Sequence, residues 1–109
     1  MRIEEFVRQA RQDRASDIHL VRGLTPRYRV DGSIREMGNT PLTGEDCAGF
    51  ARELAGEEFT QAEAVGEADL ALTVAGVRCR INLFRQQGVW STALRLPNDH
   101  IPDLCELGL

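Results

Sequence analysis

ADLALTVAGVRCRINLFRQQGVWSTALRL, residues 68–96, is the stretch of sequence that decides the fold. Its apolar and polar residues alternate, which predicts β-strands with one buried face. With Ala75–Gly76 as a two-residue loop, the first two strands form a hairpin whose apolar face agrees at each rung. The apolar pairs are then Val74 with Val77, Leu72 with Cys79, and Leu70 with Ile81. The opposite face contains Asp69, Ala71, Thr73, Arg78, Arg80 and Asn82.

A second turn, at Gln87–Gly88, extends this ribbon by a third strand. It places Ile81 opposite Leu94 and Arg80 opposite Arg95. Two like charges across a strand pair repel each other unless an anion or a carboxylate lies between them. The sequence therefore predicts an anion site beside Arg80 and Arg95. The alternative is a solvated sheet face on which the guanidinium stems cover apolar surface.

The charge distribution also favours an anionic partner. The chain has a formal net charge of -4, yet no Asp or Glu lies between Val77 and Pro97. The arginines in this interval are Arg78, Arg80, Arg85 and Arg95, and we expect the shared outer face of the strands to carry only Arg charges. Residues 36–69, by contrast, hold nine acidic residues against one basic residue, Arg52. Such a charge dipole favours head-to-tail association of identical copies.

Helical periodicity appears twice outside the ribbon. It predicts an amphipathic helix over residues 2–14, with Ile3, Phe6, Val7 and Ala10 on one face. A second helix is predicted to begin after Thr43, an N-cap with Asp46 in the reciprocal capping position, and to stop at Gly56. Residues 57–64 indicate a shorter, weaker helical turn.

Extended runs at residues 17–22, 26–31 and 33–37 predict three further strands, with a turn at Asp31–Gly32. A two-residue loop there would set Val30 opposite Ser33, whereas a three-residue loop would set it opposite Ile34. Apolar matching favours the longer loop.

The chain of 109 residues suits one domain, and it contains neither an apolar run of 18 residues nor a secretory signal. We therefore expect a cytoplasmic protein. Cys47, Cys79 and Cys105 form no CxxC pair, which favours reduced thiols over disulfides. A zinc site that combined them with His19 or His100 lacks the usual ligand spacing, so no metal is expected.

Four motifs occur in order along the chain: ASDIHL at residues 15–20, RYRVDG at 27–32, RCRINLFRQQG at 78–88 and LRLPNDHIPDLCELGL at 94–109. Together they resemble the N-terminal domain of the type IV pilus retraction ATPases (twitching motility proteins) and, more distantly, the type II secretion ATPases. The resemblance covers nearly the whole chain. Glu67 stands where the secretion-type relatives often have a basic residue, which places the sequence nearer the retraction-type branch.

The resemblance implies an α+β, PAS-like domain with about three helices on a mostly antiparallel sheet of about six strands. Residues 1–97 would form this domain, and residues 98–109 would begin a linker to a RecA-like ATPase domain. In such proteins the domain belongs to a cytoplasmic homo-hexamer. That ring contacts an inner-membrane platform protein, and each domain packs against the motor domains of its own and the neighbouring subunit.

The resemblance also implies functional residues. Arginines of the strand resembling RCRIN approach the nucleotide phosphates of a neighbouring subunit, which nominates Arg80 first, Arg78 second, and Arg95 as part of the same surface. Asp17, His19, Arg29, Asp31 and Asn82 are expected to have interdomain or structural roles. An acid–base role for Asp17 and His19 is the alternative, but no nucleophile or third partner is apparent.

No GxxxxGK[ST] phosphate loop is present, because all 13 basic residues are Arg and no glycine is followed by Lys. The chain by itself is therefore expected not to bind a cofactor or hydrolyse ATP, and ATP and Mg²⁺ would belong to a full-length parent. The leading interpretation is a non-catalytic domain of a hexameric pilus or secretion motor. A free-standing PAS-type sensor is the alternative, although it needs a partly polar pocket and the core positions are almost wholly aliphatic. Nucleic-acid binding fits the Arg face but neither the acidic total nor the few aromatic residues.

Overall fold

The structure is a computed structural model that describes residues 3–97. In chain order the elements are α1 (Ile3–Gln12), β1 (Asp17–Leu20), β2 (Arg27–Val30), β3 (Ser33–Glu36), α2 (Gly44–Ala55), a 3-10 turn (Gly56–Glu58), α3 (Phe59–Val65), β4 (Glu67–Val74), β5 (Val77–Gln86) and β6 (Val89–Arg95). The expected α+β fold, with three helices and a six-stranded sheet, is confirmed. None of the described helices is both long and apolar enough to cross a membrane.

The six strands form one antiparallel sheet in the order β3-β2-β1-β6-β5-β4. Pairing of β1 with β6 joins the first and the last strand at the centre of the sheet. Apolar side chains such as Ile18, Ile81 and Leu94 lie on one sheet face and form a single core with the helices. The domain is only 20 Å deep along its shortest axis, as expected for two layers. Within residues 3–97, no helix covers the other sheet face, which we name the outer face.

The registers predicted for the β4–β6 ribbon are confirmed. Ala75 and Gly76 have φ values of 52° and 78°, and Gln87 and Gly88 have values of 55° and 79°. Positive φ at both positions is the signature of a type I′ turn, whose twist matches that of the flanking strands. Val74 pairs with Val77, and the next ladder ends at Arg80 opposite Arg95.

The β2–β3 turn contradicts the predicted three-residue loop. Val30 pairs with Ser33, and Ile34 pairs with Arg29. Asp31 and Gly32 have φ values of 51° and 81°, so this is also a two-residue type I′ turn. Apolar matching failed because β3 is an edge strand whose residues are all exposed, and Ile34 retains 46% of its accessible surface.

The helices follow the sequence patterns. α1 buries Ile3, Phe6, Val7 and Ala10, as predicted. At the start of α2 the Thr43 hydroxyl accepts a hydrogen bond from the Asp46 amide at 3.0 Å, and the Asp46 carboxylate accepts from the Thr43 amide at 3.0 Å. The bond from the Thr43 amide to the carboxylate lowers the pKa of Asp46, and the two bonds together complete the predicted capping box. α2 ends before Gly56, as predicted.

The cysteines are structural in the described region. Cys47 and Cys79 are buried free thiols, and burial raises the pKa of both. No group of three or more metal-ligating side chains occurs among residues 3–97. Cys105 and His100 lie outside the described residues, as do the proposed linker residues 98–109.

Candidate functional site

Three adjacent rows of outer-face side chains run across the strands and surround the candidate site. The first row, from β3 to β4, consists of Ile34, Arg29, Asp17, Arg95, Arg80 and Ala71. The second row consists of Glu36, Arg27, His19, Ala93, Asn82 and Asp69. The third row, on β6, β5 and β4, consists of Ser91, Phe84 and Glu67. Successive rows are separated by two residues of strand, or about 7 Å.

Arg80 and Arg95 are adjacent across β5 and β6, as predicted, and both are exposed. Within residues 3–97, neither forms an ion pair with a carboxylate. They line an open depression of about 330 Å³ together with Asp69, Leu70, Ile81, Asn82 and Ala93. Two unpaired guanidinium groups at one edge of a depression form a ready site for a phosphate or carboxylate. Arg78 lies two residues before Arg80 on β5, exposed and opposite Thr73 on the same face, next to the first row.

The expectation that only Arg charges occupy the shared outer face of β4–β6 is wrong in two respects. Glu67 also lies there, as does Asp69, which the strand alternation had already placed on this face. Arg85 lies on the other sheet face, because strand alternation places it opposite Trp90. Its guanidinium carbon is 5.6 Å from the centroid of the Trp90 ring, a cation–π distance. Trp90 is 4% exposed and contacts Phe59, so it packs in the core.

Asp17 is the hydrogen-bonding centre of a second depression. Its carboxylate accepts from the Ser16 hydroxyl at 2.5 Å, shares a hydrogen bond with His19 Nε2 and lies 3.5 Å from Arg29 Nε. Partial burial opposes ionisation of Asp17, but these hydrogen bonds and the His19 and Arg29 charges outweigh it and lower the pKa. This depression, of about 480 Å³, also includes Arg95 and Leu96. Arg95 therefore borders both depressions.

The Asp17 cluster does not have the geometry of a hydrolytic triad. In a triad the serine hydroxyl bonds to the histidine, and the carboxylate orients that histidine from the other side. Here Ser16 and His19 both bond to Asp17. Asp17 consequently acts as an acceptor that fixes its neighbours in place, and it holds Arg29 while leaving Arg95 unpaired within the described region.

No protein-family model matches the chain. The sequence is 30% identical to the type IV pilus retraction ATPase PilT of Pseudomonas aeruginosa over 111 residues, which covers 100% of this chain and 32% of PilT. A crystal structure of the pilus retraction motor PilT with bound ADP superposes with a TM-score of 0.77 at 35% identity, covering 96% of this chain and 35% of that one. The chain is homologous to the N-terminal domain of the type IV pilus ATPases.

A second pilus ATPase of Pseudomonas aeruginosa, PilU, is 28% identical over 114 residues, covering 100% of this chain and 29% of PilU. The Legionella pneumophila ATPase DotB shares the fold, with a TM-score of 0.74 at 19% identity over 86% of this chain and 28% of DotB. The chain thus spans about a third of the length of the curated relatives it matches.

The structure brings all but one of the site residues predicted from the sequence to the outer face. Asn82 donates a hydrogen bond to Asp69 at 2.6 Å in the second row. Asp31 lies in the β2–β3 turn and lines neither depression. Phe84, which is 39% exposed on the outer face, is not among the site residues predicted from the sequence. Continuing the alternation of β5 beyond Asn82 would have identified it.

Proposed function

We propose that this chain is the non-catalytic N-terminal domain of a hexameric motor ATPase, in which it packs against the motor domain of a neighbouring subunit. Arg80, assisted by Arg78 and Arg95, would extend from the outer face toward the nucleotide phosphates held by that neighbour. One observation supports this assignment above others. Arg80 and Arg95 form an exposed like-charge pair with no carboxylate partner within residues 3–97.

A like-charge pair of this kind requires an anion between its two members. Guanidinium groups on adjacent strands repel each other, and a shared phosphate converts that repulsion into two charge-assisted contacts. Charge develops on the transferred phosphoryl group during ATP hydrolysis, and an arginine supplied by a neighbouring subunit stabilises it. Rigid-body movement of the domain would then couple the nucleotide state of one subunit to the position of the next.

The motor itself would belong to the rest of the parent protein. ATP and Mg²⁺ would bind its RecA-like domain, since this sequence contains no phosphate loop. The bound ADP named for the PilT crystal structure supports the same class of nucleotide. In this proposal residues 1–97 form the domain, residues 98–109 begin the linker, and the homo-hexamer works in the cytoplasm against an inner-membrane platform protein.

A PAS-type sensor is less well supported by the structure. Such a sensor encloses a ligand between its sheet and helices, in a pocket with a few polar groups. In this domain that space is occupied by apolar side chains, and Phe6, Ile18, Leu20, Ile81, Leu83 and Leu94 are among the fully buried ones.

The test is the substitution Arg80→Ala in the complete motor protein, with Arg85→Ala as the matched control. Both arginines are exposed on β5, but they lie on opposite sheet faces. Arg80→Ala is expected to lower ATP turnover by about three orders of magnitude, the smaller end of the range for a lost arginine finger. Arg85→Ala is expected to leave turnover within about twofold of wild type. Unchanged turnover in Arg80→Ala would remove this residue from the mechanism.

A further inference from the structure

The three rows of the outer face differ in chemistry along the direction of β5. Arg80 and Arg95 occupy the first row, and Asn82 with Asp69 occupies the second. Phe84 occupies the third row, two residues beyond Asn82. The order along the strand is therefore cationic, then hydrogen-bonding, then aromatic. Each step spans about 7 Å, so about 14 Å separates the Arg80 and Phe84 positions.

The second row presents hydrogen-bonding groups to a ligand and provides the space for one. The Asn82 amide donates to one carboxylate oxygen of Asp69, which leaves the other Asp69 oxygen as an acceptor. Both side chains line the same depression as Arg80 and Arg95. Their neighbour on β6 is Ala93, whose small side chain projects little from the outer face. A carboxylate in such a position suits a vicinal diol, the group that a ribose presents.

The third row offers an aromatic surface. Phe84 retains 39% of its accessible surface and lies just beyond the residues that line the depression. The small Ser91 on β6 and Glu67 on β4 flank Phe84, and Glu67 adds negative charge at this end. A phosphate would be repelled by Glu67 and attracted by Arg80 and Arg95. The charges therefore fix the orientation of an anionic ligand along the strand.

We propose that the outer face recognises a whole nucleoside polyphosphate, with its phosphates on Arg80 and Arg95, its ribose on Asp69 and Asn82, and its base on Phe84. This inference rests on the proposed function, because it assigns the remainder of the same nucleotide to the same surface. It extends that function by identifying a ribose-binding pair and a base-stacking side chain. Contrary to the expectation drawn from the missing phosphate loop, the 109-residue chain then binds nucleotides weakly by itself, without the motor domain.

The first experiment compares ligands on the unmodified chain by two-dimensional NMR titration. ADP, 2′,3′-dideoxy-ADP and inorganic pyrophosphate share the diphosphate group but differ in ribose hydroxyls and base. ADP is expected to bind more tightly than dideoxy-ADP, and dideoxy-ADP more tightly than pyrophosphate. Amide shifts are expected in all three rows for ADP but only around Arg80 and Arg95 for pyrophosphate. Equal affinities for ADP and pyrophosphate, with no shift at Phe84, would overturn the proposal.

The second experiment tests the individual contacts. Phe84→Ala is expected to weaken ADP binding by about 5- to 100-fold, the range for loss of a base–aromatic stack, and to leave pyrophosphate binding unchanged. Asp69→Ala is expected to abolish the difference between ADP and dideoxy-ADP. Arg80→Ala should weaken both ADP and pyrophosphate, and Arg85→Ala neither. Because Phe84 and Asp69 are exposed on the outer face, circular dichroism should show unchanged folding. ADP binding unaltered by Phe84→Ala would contradict the base assignment.

These outcomes separate the inference from the function on which it rests. If Arg80→Ala abolishes turnover in the complete motor while ADP and pyrophosphate bind this chain equally, the arginine role stands and the nucleoside contacts are refuted. A single-stranded dA₁₀ oligonucleotide is the remaining comparison, because it also combines phosphates, sugars and bases. Tighter binding of dA₁₀ than of ADP at an equal concentration of nucleotide units would overturn the assignment to a mononucleotide.

Discussion

The Arg80–Arg95 pair has a consequence for stability that needs no nucleotide. The two residues are directly opposite on adjacent antiparallel strands, where like charges destabilise a sheet by about 0.2–1 kcal/mol. Arg80→Gln removes one charge but retains a polar side chain that is common on exposed strands. It is therefore expected to raise the free energy of unfolding by about 0.5 kcal/mol at low ionic strength. For a domain of this size, that corresponds to an increase in Tm of about 2–4 °C.

Salt dependence distinguishes this repulsion from any other effect of the substitution. The assay is urea unfolding of the 109-residue chain in 20 mM and in 1 M NaCl. The Debye length falls to about 3 Å at 1 M salt, so the advantage of Arg80→Gln should largely disappear there. Arg85→Gln is the control, because Arg85 lies opposite Trp90 and should show no stabilisation at low salt. The repulsion between Arg80 and Arg95 would be refuted if Arg80→Gln did not raise the free energy of unfolding at low salt, or raised it equally at both salt concentrations.

Three further predictions concern the fold around the site. Thr43→Ala removes one side of the capping box and should lower the free energy of unfolding, measured with urea, by about 1 kcal/mol. Thr40→Ala is the control, because Thr40 lies before the helix and is not its N-cap. Thr92 is 2% exposed and its hydroxyl has no hydrogen-bond partner within the described residues, so Thr92→Val should be neutral or should raise the stability by about 1 kcal/mol; a clear loss would mean that the hydroxyl is satisfied. The lowered pKa of Asp17 gives a stabilising contribution that is present above the unfolded value of about 3.9 and is lost as the pH falls through the folded pKa. Asp17→Asn should therefore reduce the acid sensitivity of stability between pH 5 and pH 2, and an unchanged pH profile would exclude this contribution.

The sequence alone predicted the strand register correctly where the strands have a buried face and a well-defined turn. Both turns of the β4–β6 ribbon, and hence the position of Arg80 opposite Arg95, followed from apolar alternation because a one-residue slip would expose the whole core face. The β2–β3 register did not follow, because β3 has no buried face to constrain it. There the backbone preference of Asp31–Gly32 for a type I′ turn determined the pairing.

The composition of the outer face was only partly predictable. Asp17 lies between Arg29 and Arg95 because β1 pairs with both β2 and β6, and the pairing of β1 with β6 joins residues that are distant in the sequence. No local pattern encodes that neighbourhood. The sheet faces of Phe84 and Arg85, by contrast, follow from the same alternation that located Arg80. Grouping the arginines as one block of charge ignored that alternation.

Mixed rings test directly whether Arg80 acts across a subunit interface. One variant of the complete motor contains Arg80→Ala, and a second contains an inactivated phosphate loop in its motor domain. Each alone should have little ATPase activity. In a mixed ring, an intact Arg80 from the second variant can face an intact nucleotide site of the first. If Arg80 acts on the neighbouring nucleotide, mixing restores turnover with a maximum at intermediate ratios, whereas turnover that stays at the level of the separate variants would contradict this role.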